Sequence, residues 1–218
     1  MINEYQLLAT IAAAVIPALF AITVHECAHG YVAYKFGDGS AKMLGRLTLN
    51  PIVHIDPMGT VFVPLAMLFL TGFVFGWARP VPVNQYALSK PRRDMVFVVL
   101  AGPMSNLLMA ILWALFFKGC LMLDLSQLQP QQIDLILNMG RYGVQINLVL
   151  MAVNLIPVLP LDGGRILSQL LPRRLVYYFD QTEPYGLLVV VAGLYLGIFS
   201  PFLNMLFGLS FKLIDMIV

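Results

Sequence analysis

Charge is what this sequence has least of. Only 11% of its 218 residues are Asp, Glu, Lys or Arg, against roughly 25% in a soluble domain. Apolar residues make up 60% and mean hydropathy is +0.84, which argues for a membrane protein. The net charge of +2 supplies no basic stripe of the kind nucleic acid requires. Cysteine is scarce too: Cys27 and Cys120 form neither a C-x-x-C pair nor a disulfide framework. Ser/Gly linkers, internal repeats, charge blocks and low-complexity tails are all missing. One integral membrane domain over residues 1–218 is therefore expected. The N-terminus has no basic n-region, with Glu4 the only charge before Tyr5, so it does not read as a cleaved signal peptide.

Against this background stands His25-Glu26-Cys27-Ala28-His29. Between Tyr5 and Tyr34 the only acidic or basic side chains are His25, Glu26 and His29. One charged side chain at the centre of a membrane helix costs about 2.5–3.5 kcal/mol on insertion scales. Three ionisable groups together call for a compensating partner such as a metal. Positions i and i+4 share a helix face, so both imidazoles can reach one ion, and Glu26 stands beside the first of them as a base. This is the H-E-x-x-H pattern of zinc hydrolases, placed in an apolar helix. Cys27 lies about 200° around the helix from His25 and reads as a packed small hydrophobe.

The rest of the chain alternates apolar segments with turns. Residues 7–36 predict one long helix with Pro17 as a possible kink, ended by Gly37-Asp38-Gly39-Ser40. Residues 41–60 hold short β-like runs broken by Gly and Pro, and carry His54. Residues 61–77 are apolar but contain Pro64, Gly72 and Gly76. Residues 78–93 read as extended and basic. A strong helix is expected from Asp94 to Phe117, a polar amphipathic stretch over 118–140, and apolar segments near 143–161, 185–199 and 201–218. The fold class is thus an all-α multi-pass membrane protein with about four to six transmembrane helices. A short β-like or re-entrant region lies between the His-bearing helix and the central helix.

A catalytic zinc takes three protein ligands and leaves a fourth position open. Asp162 and His54 are the candidates for the third. Asp162 follows Pro157 and Pro160 and precedes Gly163-Gly164, a setting that breaks the helix and lets backbone approach closely. His54 shares a loop with Asp56 and is equally a candidate gate or transition-state donor. If Asp162 meets His25 and His29, the helices leading to them run parallel. That requires one of the two apolar segments between 37 and 142 not to span. Residues 61–77, near the minimum length and rich in breakers, are the weaker one. A re-entrant 61–77 puts Arg79, Lys90, Arg92 and Arg93 on the face of Lys42, Arg46, Arg165, Arg173 and Arg174, which the positive-inside rule makes cytoplasmic. The alternative is that 61–77 spans and 78–88 returns.

Three separated motifs now resemble the site-2 protease family of intramembrane zinc metalloproteases: His25-Glu-Cys-Ala-His29, Ala101-Gly102-Pro103-Met104-Ser105-Asn106, and Asn154-x-x-Pro157-x-x-Pro160-x-Asp162-Gly163. Asn50-Pro-x-x-His54-Ile-Asp56-Pro-x-Gly59 and Gly76-Trp-Ala-Arg-Pro-Val-Pro-Val-Asn84 look like its small single-domain branch. The resemblance spans residues 20 to 170. It implies one Zn2+ per chain on His25, His29 and Asp162, and Glu26 as catalytic base. It also implies a role for Asn154 in holding the substrate backbone, with His54 and Asn106 as weaker candidates for substrate or oxyanion contact. The implied substrate is a transmembrane segment of another protein, within the bilayer of the cell (inner) membrane, with the active site toward the cytoplasm. Neither a PDZ domain nor nucleotide-sensing repeats are visible, and no nucleic-acid partner is expected.

Two further readings concern substrate and water. A helical substrate must unwind before attack, and Pro80-Val-Pro-Val-Asn84 or residues 43–49 offer an edge for it, with proline blocking donation on one side only. Asn147 and Asn154, seven apart, either line a polar channel or hydrogen-bond to neighbouring helices, the latter favoured for Asn147. Gly102 reads more simply as a small residue for close helix packing. The competing function is a metal transporter or a non-proteolytic metal-binding membrane protein, for which Glu26 beside the ligand pair has little use.

Overall fold

The computed structural model describes residues 4–71 and 76–217. Nine α-helices occur among them: α1 Glu4–Lys35, α2 Ser40–Met43, α3 Val63–Thr71, α4 Pro91–Met122, α5 Pro130–Asn154, α6 Asp162–Leu170, α7 Arg173–Asp180, α8 Glu183–Tyr195 and α9 Ser200–Ile217. Three of these contain stretches long and apolar enough to cross a membrane: Ala9–Lys35 of α1, and all of α4 and α9. Two shorter apolar helical stretches, Pro57–Phe69 and Glu183–Tyr195, accompany them.

Local chemistry sets the helix ends. Pro91 starts α4 where its missing N–H costs nothing, and Asp94 in the first turn accepts the Lys90 N–H at 2.7 Å. At the start of α5, Pro130 stands at the first position and the Gln129 N–H donates to Gln132 Oε1 at 2.9 Å. The chain leaves α1 through Gly37, whose φ of 109° suits a residue without Cβ.

α1, α4 and α5 pack on one another, and α6 packs on α4. One core cluster joins Ala33, Leu88, Met95, Val98 and Val99. A second joins Ala110, Ala114, Leu148, Met151 and Ile214. Glycines bring the helices close: a Cβ on Gly143 would collide with the Trp113 ring, and one on Gly140 with Phe117. The outside is apolar, with Ile11, Val15, Phe20, Leu108, Leu112 and Val149 all exposed, a surface suited to lipid.

Two local expectations change. No β-strand occurs among the described residues. Residues 41–60 instead hold α2, a 3₁₀ turn over Pro51–Val53 and the start of a π-helical stretch over Pro57–Phe62, because Asn50 and Asp56 cap these turns through Ile52, Met58 and Gly59 N–H groups. The apolar segment 143–161, expected to break at Pro157 and Pro160, belongs to a helix that starts and ends earlier. α5 extends back to Pro130 and stops at Asn154, and Asp162 opens a new helix. Of the 61–77 segment, residues 72–75 lie outside the described residues. Pro57 to Phe69 covers only about 20 Å at 1.5 Å per residue, less than a bilayer core.

Candidate metal centre

α1 carries His25 and His29 one turn apart, and α6 delivers Asp162 at its first position. Glycine makes this delivery possible. A Cβ on Gly163 would strike the Leu155 and Ile156 carbonyls, and one on Gly164 the backbone at Val158 and Leu159. Gly163 and Gly164 therefore seat the start of α6 directly on the turn after α5, and Asp162 faces α1.

The donor atoms converge. The two Nε2 atoms are 3.0 Å apart, and Asp162 Oδ2 lies 3.2 Å from that of His25 and 3.5 Å from that of His29. His25 and Asp162 are buried. The protons on the imidazoles follow from their other contacts. His25 Nδ1 is 2.6 Å from Asn106 Oδ1, and His29 Nδ1 is 2.8 Å from the Val98 carbonyl. The Asn106 amide is oriented by its own donations, from Nδ2 to the Ala21 carbonyl at 3.2 Å and to Asn147 Oδ1 at 3.0 Å. Asn147 in turn donates to the Gly143 carbonyl at 2.8 Å. Both Nδ1 partners are pure acceptors, so each Nδ1 carries a hydrogen, and a ring in its neutral form presents an Nε2 lone pair.

Two imidazole Nε2 atoms and a carboxylate oxygen thus point at one another. Asp162 Oδ2 is buried and, among the described residues, receives no hydrogen bond. Such a cluster of acceptors repels itself unless a cation sits among them. The set fits zinc: bonds of about 2.0–2.1 Å in a tetrahedron place donors roughly 3.3 Å apart. Outer hydrogen bonds that fix the Nδ1–H tautomer are the arrangement metal-ligating histidines use.

The other sequence candidates fall around this cluster. Glu26, half-buried, accepts the Val81 N–H on Oε2 at 2.8 Å. Asn106 is fully buried behind His25 with both amide atoms engaged. Asn147 joins it, as expected for a residue bonding between helices. Asn154 donates to the Leu150 carbonyl at 2.9 Å within its own helix. His54 is buried, and its Nε2 bonds the Thr48 carbonyl at 2.9 Å while Nδ1 has no partner among the described residues. It is not part of the three-atom cluster, which consists of His25, His29 and Asp162.

Three contributions escaped the sequence reading. Gly102 does more than allow helix packing, because a Cβ there would run into both imidazoles. Arg92 was read only as a topogenic charge, yet it donates to the Gln169 and Leu171 carbonyls at 2.5 Å each, at the end of α6. The Val81 N–H had a visible signal, being the one amide hydrogen within Pro80-Val-Pro82.

The family model described as Peptidase family M50 matches residues 13–139 and 118–197. The chain is 43% identical over 180 residues to "Putative zinc metalloprotease YwhC" of Bacillus subtilis (strain 168), covering 80% of this chain and 76% of that one. It is 26% identical over 185 residues to "Putative zinc metalloprotease Rip2" of Mycolicibacterium smegmatis, covering 79% and 62% respectively. With the protein of the same name from Mycobacterium tuberculosis (strain ATCC 25618 / H37Rv) it shares 30% identity over 146 residues, 66% of this chain and 52% of that one. No solved structure matches the chain.

Proposed function

We propose that this chain, which belongs to peptidase family M50, is a zinc-dependent endopeptidase that cuts other membrane proteins within or near a transmembrane segment. The chain is a zinc metalloprotease whose apolar helices suit a membrane. The finer reading rests on one observation: the convergent Nε2, Nε2 and Oδ2 atoms stand beside Glu26, which lies on a helix long enough to cross a bilayer.

His25, His29 and Asp162 would hold the ion. Zinc, when bound, supplies a Lewis acid that polarises the scissile carbonyl and makes water nucleophilic near neutral pH. Val81 occupies Oε2 of Glu26, which leaves Oε1 to take a proton from the attacking water and return it to the leaving amine. Asn106 and Val98 keep the imidazoles in the Nδ1–H tautomer, so both rings offer lone pairs. The half-buried Asn154 and the buried His54 are secondary candidates for substrate contact.

Glu26→Gln tests the reading. In liposomes carrying a quenched-fluorescent transmembrane peptide, it should keep the zinc content of the wild type and lose about 100- to 10,000-fold in cleavage rate. Normal cleavage by that variant contradicts the mechanism. Wild-type protein that carries zinc across the liposome membrane and cleaves nothing establishes transport instead.

A further inference from the structure

We propose that the backbone amide of Val81 is a positioning group for Glu26, held in place by a strap formed by residues 77–84. The inference rests on Glu26 being the catalytic base. A glutamate left to itself samples several rotamers. Here the Val81 N–H fixes one carboxylate oxygen at 2.8 Å.

The strap is fastened on alternate residues. The Trp77 N–H donates to the Gly59 carbonyl and the Arg79 N–H to the His54 carbonyl, each at 2.9 Å. The Thr60 hydroxyl returns to the Trp77 carbonyl at 2.9 Å. Next in this alternation is Val81, whose N–H meets Glu26 instead of backbone. Pro80 and Pro82 flank it, stiffen the chain and carry no N–H of their own. A slip of one residue would therefore bring a proline to Glu26 and leave the carboxylate without its donor.

Side chains keep the register. Val81 is buried, and a Cβ on Gly30 would lie 3.1 Å from its Cγ1. Gly30 is one turn after Glu26, so the strap follows the face of α1 that bears the base. Val83 packs on the cluster containing Ala33, one turn further. At the far end the Asn84 N–H donates to Asp38 Oδ2 at 2.6 Å, and Ser40 donates to Oδ1 from its N–H at 2.9 Å and its hydroxyl at 2.5 Å. Burial pushes the Asp38 carboxyl up, but these donors outweigh it and hold the group below its usual range. The anchor is an ionised carboxylate at neutral pH. In this arrangement His54 acts through its backbone carbonyl, as the support on the other side of Val81.

The test separates the amide from the side chain. An ester in place of the Pro80–Val81 amide, introduced as the α-hydroxy analogue of valine, deletes the N–H and keeps the shape. Val81→Ala keeps the N–H and trims the packing. With the same liposome-borne transmembrane peptide, the ester protein should lose about 10- to 100-fold in kcat, with KM within about twofold and zinc content unchanged. Val81→Ala, which loosens the strap but keeps the donor, should lose less kcat than the ester protein. An ester protein that turns over like wild type overturns the proposal, as does one that loses zinc, or one whose only change is a higher KM. A Val81→Ala loss as large as that of the ester assigns the effect to packing and also overturns it. Equal turnover by wild type and Glu26→Gln would remove the base itself, a failure of the underlying reading that this comparison identifies separately.

Discussion

At the scale of single residues, the centre is governed by where hydrogens sit. Asn106 Oδ1 and the Val98 carbonyl accept from the two Nδ1 atoms, so each ring turns its Nε2 toward the Asp162 carboxylate. Gly102 makes room for this. An alanine methyl there would overlap His29 Nε2 and approach His25 Cε1, and neither ring can retreat without losing its Nδ1 partner. Gly102→Ala is therefore expected to lower zinc affinity at least about 10-fold, as read by chelator competition, while far-ultraviolet circular dichroism stays helical. Affinity equal to wild type would show that the rings yield without cost. Some of this was legible in the sequence. The i, i+4 spacing of His25 and His29 announces a shared helix face, and the three ionisable groups stand out from apolar neighbours. The Val98 contact had no such signal, because a backbone carbonyl carries no residue identity. Asn106 showed only as part of a motif, with nothing to say that it backs His25.

At the scale of elements, α4 is the frame. Val98, Gly102 and Asn106 follow one another at four-residue steps and make a single stripe that meets α1 along His29 and His25. The same helix reaches α6 through Arg92, whose guanidinium caps the carbonyls where that helix's negative end lies. Gln85 adds a second tie, from Nε2 to Gln169 Oε1 at 2.8 Å. α6 has only nine residues, so a shift at Leu170 is felt at Asp162. Arg92→Ala should weaken zinc binding about 10-fold in the same competition assay, with Arg92→Lys intermediate. No change would mean that Gly163 and Gly164 alone seat the helix. The sequence reading expected Asp162 at the end of an apolar segment over 143–161, broken at Pro157 and Pro160. α5 instead stops at Asn154, and the carboxylate opens the next helix. Pro157 and Pro160 announced a break, but nothing in the residue order placed Asp162 at the first position of a new helix.

At the scale of the molecule, several contacts collect one end of the structure. Ser89 N–H reaches the Phe36 carbonyl at the end of α1, Asn84 reaches Asp38, and Arg92 reaches Leu171 beside Arg173 and Arg174. Lys35, Lys90, Arg92, Arg93, Arg173 and Arg174 thus lie toward the same end, a positive face that supports a cytoplasmic orientation. A Ser89→Cys protein in intact cells should escape a membrane-impermeant maleimide and react only after the cells are opened. Labelling from outside would reverse the orientation. His29 and His25 precede Lys35 by six and ten residues, which puts the centre about 9–15 Å from that end along α1, a depth that suits the proposed hydrolysis within a hydrocarbon core of about 30 Å.

That depth exposes the account to a single measurement. Membrane proteins that accumulate uncut in Glu26→Gln cells can be compared with their fragments in wild-type cells, and the new termini read by mass spectrometry. Cuts inside predicted transmembrane segments, on their cytoplasmic half, are the expected result. New termini confined to soluble loops or domains would contradict hydrolysis within the bilayer.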